Sequence, residues 1–129
     1  MMMQERTHND AEGAILFDAT VSSQVGHEWF AADYWGERGA LRTQSGGRGG
    51  VAIITTPIGE CVLRHYRRGG LVAALMGDRY LWTGAARSRP FAEFRLLADI
   101  ARRYWQCPAV VAARYRRHGL FYSADLMTR

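Results

Sequence analysis

The sequence is short of the residues that cross-link chains, hold metals or cross membranes. It has two cysteines, Cys61 and Cys107, among 129 residues. A chain this short that relied on a disulfide framework would carry more, so the count points to a reducing compartment. Cys61 lies in an apolar, β-branched stretch and reads as a buried thiol. The four histidines, His8, His27, His65 and His118, are scattered without the spacing of a metal-ligand set, and no metal site is expected. No apolar run reaches the length of a membrane span. The opening MMMQERTHND lacks the apolar core of a signal peptide, so none is expected. No internal repeat is visible.

What is present suits one small domain. The chain is 48% hydrophobic and 12% aromatic, enough to build a core and unlike a disordered composition. The formal net charge is +5. A basic balance favours an anionic partner: nucleic acid, a phosphorylated ligand or an anionic membrane surface. Charge alone does not choose among them.

Residues 1–12 read as a flexible leader and 13–129 as the domain. AILF at 14–17 predicts a short strand, and 25–35 a short helix anchored by Trp29, Phe30, Tyr34 and Trp35. Pro57 and Gly59 mark a turn between extended runs 51–55 and 61–66, a hairpin with a loop longer than two residues. Residues 67–90 form a basic, glycine-containing connector. The clearest helix starts with Ser88 as N-cap and Pro90 in its first turn. Phe91, Phe94, Leu97, Ile100 and Tyr104 recur at helical spacing, and Pro108 ends the helix near Gln106. Runs 109–115 and 120–127 make a second hairpin.

Two features suggest chemistry. GGRGG at 46–50 places Gly46, Gly47, Arg48, Gly49 and Gly50 just before the first hairpin. Such backbone can fold over phosphate and offer N–H groups, although the run matches neither GxGxxG nor the P-loop and an ordinary surface loop also accounts for it. On the helix, Glu93 shares a face with Leu97, Ile100 and Tyr104. On the hairpin, Val62, Arg64 and Tyr66 share one strand face, so Arg64 lies among residues expected to be covered. A strand cation held by a helix carboxylate suits a phosphate site. The alternative is a purely structural ion pair.

Taken together, GRGG at 47–50, CVLRHYRRGG at 61–70, DRYLWTG at 78–84, SRPFAEFRLL at 88–97 and VAARYRRHGLFYSADLMTR at 111–129 resemble the 3-deoxy-D-manno-octulosonic acid (Kdo) kinases. These belong to the lipopolysaccharide kinases of Gram-negative bacteria, with a protein-kinase-like fold. The likeness covers roughly residues 13–129. It implies an α+β small lobe, a twisted antiparallel sheet with one main packed helix. It implies ATP-dependent phosphorylation of a Kdo hydroxyl on a lipid A precursor, with Mg²⁺ as second cofactor, at the cytoplasmic face of the inner membrane as a peripheral protein. Partners would be ATP, the Kdo-bearing acceptor and the anionic membrane surface, with no nucleic acid expected.

By the same resemblance, residues 46–50 are the phosphate-covering loop, Arg64 stands where protein kinases carry a third-strand lysine, and Glu93 is its helix partner. YWQCPAV departs from the more proline-rich GLPVPxPV. Catalytic and metal-binding aspartates belong to a large lobe that maps onto nothing here, and Asp125 is no substitute, falling in the strand before the hinge. The chain is therefore expected to be a fragment, inactive alone. The alternative is a non-enzymatic basic module for nucleic acid or an anionic membrane surface, the latter through 67–89. A backbone-binding surface gains nothing from Glu93 facing the hairpin, which separates the two readings.

Overall fold

The computed structural model describes residues 3–45, 50–66, 80–82, 84–85, 88–103 and 109–129. Their strands join one antiparallel sheet: β1 (Glu5–Asn9), β2 (Gly13–Asp18), β3 (Leu41–Ser45), β4 (Val51–Thr56), β5 (Gly59–His65), β6 (Tyr80–Leu81), β7 (Val110–His118) and β8 (Phe121–Thr128). Across the sheet the order is β1-β2-β7-β8-β5-β4-β3, with β6 paired to β8 off this path. The helical segments are a 3-10 turn (His27–Phe30), α1 (Ala32–Glu37) and α2 (Arg89–Arg103). This is the expected α+β architecture of a kinase-like small lobe, a sheet with one main helix on it.

The sheet is covered on both faces because its residues alternate sides. On one face α2 lays Phe91 and Phe94 over β7 and β8, against Tyr115, Tyr122, Ala124 and Leu126. On the other, the 3-10 turn and α1 lay Trp29, Phe30 and Trp35 over Ile54, Cys61 and Leu63. Trp35 Nε1 donates to the Trp29 carbonyl at 2.8 Å, which satisfies the buried indole. Cys61 is fully buried, as expected, and burial pushes its thiol pKa up. At Gly13 a Cβ would lie 2.0 Å from the Tyr115 carbonyl oxygen, so only glycine lets β2 lie this close to β7.

Four expectations need correction. Residues 5–9 of the supposed leader form β1, paired with β2. All five are exposed and none is apolar, so no alternation marks them; backbone pairing and an Arg95 Nε to Glu5 Oε1 bond of 3.2 Å hold the strand. The helix foreseen over 25–35 breaks at Ala31, whose backbone is extended, into the 3-10 turn and α1. The β4–β5 turn is tighter than expected, only Pro57 and Ile58. Thr56 Oγ1 closes it by donating to the Gly59 carbonyl at 2.8 Å and accepting from Ile58 N at 3.2 Å. Ser88 stands at the N-cap position, but its hydroxyl donates to the Ala85 carbonyl at 2.6 Å. Strand β3, a polar edge, and β6, inside the basic connector, were not foreseen. The expected helix end near Gln106 lies outside the described residues.

A buried ion pair joins the two central strands. Arg114 and Asp125 are register partners on β7 and β8, 5% and 2% exposed. Arg114 Nε and Nη2 donate to Asp125 Oδ2 at 3.0 and 2.8 Å. Asp125 Oδ1 meets His65 Nδ1 at 2.7 Å, and Arg114 Nη1 donates to the His27 carbonyl at 3.1 Å. Burial lowers the Arg114 pKa, and Asp125 opposes that shift.

Removing one partner strands a charge in the core, whereas replacing both does not. Asp125→Ala is expected to cost about 3–5 kcal/mol in urea unfolding. The double replacement Arg114→Met with Asp125→Leu is expected to cost less than that single change, and a larger loss in the double variant would contradict this account.

Candidate functional site

Strand register decides which residues share the face that carries α2. Val51 opposes Arg64 and Ile53 opposes Val62 across β4 and β5. Val62 opposes Thr128 and Arg64 opposes Leu126 across β5 and β8. Directly opposed residues point to the same side, so Val51, Ile53, Val62 and Thr128 form one strip with Arg64. Helix α2 packs on β7 and β8 and leaves this end of its face open. Leu126 is buried, Ile53, Val62 and Thr128 are half-buried, and Val51 is exposed.

Arg64 and Glu93 meet at the border between the covered and the open parts. Arg64 Nη2 donates to Glu93 Oε1 at 2.6 Å. The expected pairing is present, but the expected covering of Arg64 is not: its side chain is 45% exposed and that of Glu93 32%. The reason is that α2 stops short of β5. The Arg64 guanidinium also lies 5.3 Å from the Tyr66 ring centroid, a buried platform below it. With one nitrogen on Glu93, the remaining N–H groups have no protein hydrogen bond among the described residues, and can donate to an anion. The chain contains no lysine, all 17 of its basic side chains being arginine.

Aromatic contacts tie the two halves of this pair together. Tyr66 meets Tyr80 edge to face at 6.5 Å, and Tyr80 stacks on Tyr122 at 5.5 Å. The Tyr122 hydroxyl accepts the N–H of Arg89, the first residue of α2, at 3.0 Å. Glu93 sits one turn further on, so β8 sets where the helix presents it. Gly50, the last residue of the glycine run, accepts the His65 N–H at 3.2 Å. The run therefore ends beside Arg64, as the phosphate-loop reading needs. Gly46, Gly47, Arg48 and Gly49 lie outside the described residues, as do Arg67, Arg68, Arg79 and Arg87 of the connector.

The sequence reading did not single out Val51, Ile53, Val62 and Thr128 as one surface, nor Tyr66 as a platform. Period-two alternation placed Val62, Arg64 and Tyr66 together, but pairing β4 and β8 onto β5 needs the register. On the opposite face a cleft of about 500 Å³ is bounded by Phe30, Ala52, Leu63, His65, Arg114 and Asp125. Part of its polar wall is the network of Arg114, Asp125 and His65, whose groups bind one another. It also lies behind the sheet from Arg64, so we place the site at the open strip. Among the described residues no group of three histidine, cysteine or acidic side chains is arranged to hold a metal ion, and no helix is long and apolar enough to cross a membrane.

Comparison with known proteins shows what the chain is similar to. The lipopolysaccharide kinase (Kdo/WaaP) family profile matches residues 32–129. A 3-deoxy-D-manno-octulosonic acid kinase of Xanthomonas campestris pv. campestris (strain B100) is 46% identical over 115 residues, covering 89% of this chain and 46% of that protein. Another from Xylella fastidiosa (strain M23) is 44% identical over 116 residues, covering 90% of this chain and 46% of that protein. The chain thus spans about half the length of the curated relatives it matches. No solved structure matches.

An ion pair this exposed contributes little to stability, because water screens both charges. Glu93→Ala is expected to change the unfolding free energy by less than about 1 kcal/mol. A thermal melt that drops as far as for Asp125→Ala would show a structural pair instead.

Proposed function

Because the chain belongs to the lipopolysaccharide kinase (Kdo/WaaP) family, we propose that it forms the nucleotide-holding part of a kinase that phosphorylates a Kdo hydroxyl on a lipid A precursor, with ATP as donor. The observation that carries this reading is the Arg64–Glu93 pair at the edge of an open apolar strip. ATP supplies the transferable γ-phosphoryl group. The chain's own residues fit it: Val51, Ile53, Val62 and Thr128 offer an apolar roof for a flat base, and Arg64 offers free donors to phosphate oxygens.

In this reading Glu93 and Tyr66 hold the Arg64 guanidinium in place before nucleotide arrives, so little ordering is left to do at binding. Residues 46–50 cover the phosphates from the β3–β4 side. Mg²⁺ and the groups that bind it and orient the acceptor hydroxyl lie outside the described residues, in the part of the relatives that this chain does not span. The acceptor is an amphiphile and the chain carries a net charge of +5. Both favour work at the cytoplasmic face of an anionic inner membrane, as a peripheral protein. A nucleic-acid surface is the weaker reading, since Glu93 neutralises a strand arginine that such a surface would use.

The test separates binding from transfer. The 129-residue protein is expected to bind labelled ATP, and Arg64→Ala to weaken binding about tenfold by removing charge-assisted hydrogen bonds. Equal affinity in the variant rejects the role of Arg64. Phosphoryl transfer to a Kdo-bearing acceptor is expected from a full-length homologous enzyme and not from the 129 residues alone. Turnover by the pure chain would place the missing catalytic groups within it.

A further inference from the structure

The hairpin between β7 and β8 ends in an apolar residue where turn chemistry favours a polar one. Its two turn residues are Gly119 and Leu120. Gly119 takes a positive φ of 64°, and no residue other than glycine does so among those described. A glycine in the first central position is the usual choice for such a two-residue turn, with a polar residue following. Here Leu120 follows, and its 70% exposure is the highest among the large apolar residues described. The turn itself needs only its backbone, whose carbonyl accepts Trp82 N–H at 2.7 Å.

The surroundings of Leu120 have the character of a membrane-interface group. Half-buried Phe121 and Trp82 stand beside it. Arg117 and His118 precede the turn and are exposed. The Arg117 guanidinium lies 4.8 Å from the Trp82 ring, and its Nε donates to the Gly119 carbonyl at 2.9 Å. The cation is thus held at the level of the turn instead of trailing into solvent. An apolar tip, an aromatic pair and a fixed cation suit a surface with acyl chains below and anionic headgroups above. Glu12, whose carbonyl accepts Arg117 N–H at 2.8 Å, comes to the same end of the sheet, so the local charge is mixed and salt-sensitive.

We propose that the β7–β8 hairpin tip docks the protein on an anionic lipid surface, with Leu120 entering the acyl boundary and Arg117 and His118 meeting headgroup phosphates. This rests on the membrane-surface part of the proposed function and names the residues that would make the contact. It is independent of nucleotide binding, since the tip and the Arg64 strip involve different strand ends: Arg64 opposes Leu126 near the end of β8, and the tip precedes its start.

Sedimentation with vesicles tests it, using the 129-residue protein. One vesicle set mixes phosphatidylglycerol into phosphatidylcholine and the other is phosphatidylcholine alone. The native protein is expected to bind the first set better, and less as salt rises. Leu120→Asn, which suits the turn, is expected to weaken partitioning about tenfold through lost apolar burial, and Arg117→Gln about fivefold. Leu120→Trp is expected to keep binding and to shift its emission to the blue with anionic vesicles. Unchanged melting temperatures keep these results free of unfolding. If the native protein binds neither vesicle set, the inference and the membrane part of the proposed function fall together. If it binds but the Asn and Gln variants bind equally well, another surface carries the contact and only this inference falls. If Leu120→Asn instead dissolves a dimer and leaves vesicle binding as it was, the tip meets a second copy and the inference is likewise overturned.

Discussion

The Arg114–Asp125 pair is the constraint on which the rest of the arrangement depends. It crosses the two central strands on the face away from α2, with almost no access to water. Sliding β7 against β8 by one residue would turn one of the two charges toward the opposite, apolar face. The pair therefore locks the register, and it also reaches β5 through the bond between Asp125 and His65. Strand alternation does the rest. With His65 held behind the sheet, its neighbour Arg64 must emerge in front, beside Leu126. A buried charge network on one face thus aims the exposed cation on the other.

Unequal covering of the two faces produces the open strip. The 3-10 turn and α1 lie behind β4 and β5 and bury Ile54, Cys61 and Leu63. Helix α2 lies in front of β7 and β8. Strands β7 and β8 are consequently buried on both sides, whereas among the described elements β4 and β5 are covered by helices only behind. Val51, Ile53 and Val62 face forward, beyond the part of the sheet that α2 covers. Leaving β-branched side chains half-wet forgoes part of their burial energy, a loss that a flat apolar ligand or a neighbouring lobe can offset.

Elements with a strong internal period were legible in the sequence, and those held by partners elsewhere were not. Helix α2 showed itself through Phe91, Phe94 and Leu97, and the β4–β5 hairpin through its alternation around Pro57. Placing Glu93 and Arg64 on facing sides needed only these two periods. Strands β1 and β3 are polar edges whose hydrogen bonds come from the neighbouring strand, so their residues carry no signature. From sequence, Asp125 reads only as a residue of the strand before the hinge. Its partner Arg114 is eleven residues away, and only the β7–β8 register brings them together. The exposure of Arg64 was misjudged because periodicity gives the direction of a side chain and not how far a helix extends over it.

The choice of arginine at position 64 follows from what the site asks of a cation. An ammonium group is a compact point charge, and one that binds a carboxylate this closely turns much of its field toward it. A guanidinium is a planar fork whose nitrogens point in different directions. Arg64 spends Nη2 on Glu93, rests near the Tyr66 ring, and still presents other N–H groups to the open side. It can therefore be positioned and available at once. The carboxylate that holds it costs little in stability when lost, because the pair sits in water until a ligand covers it. In the proposed nucleotide-bound state the same charges would act at lower dielectric, where each degree of misorientation weighs more.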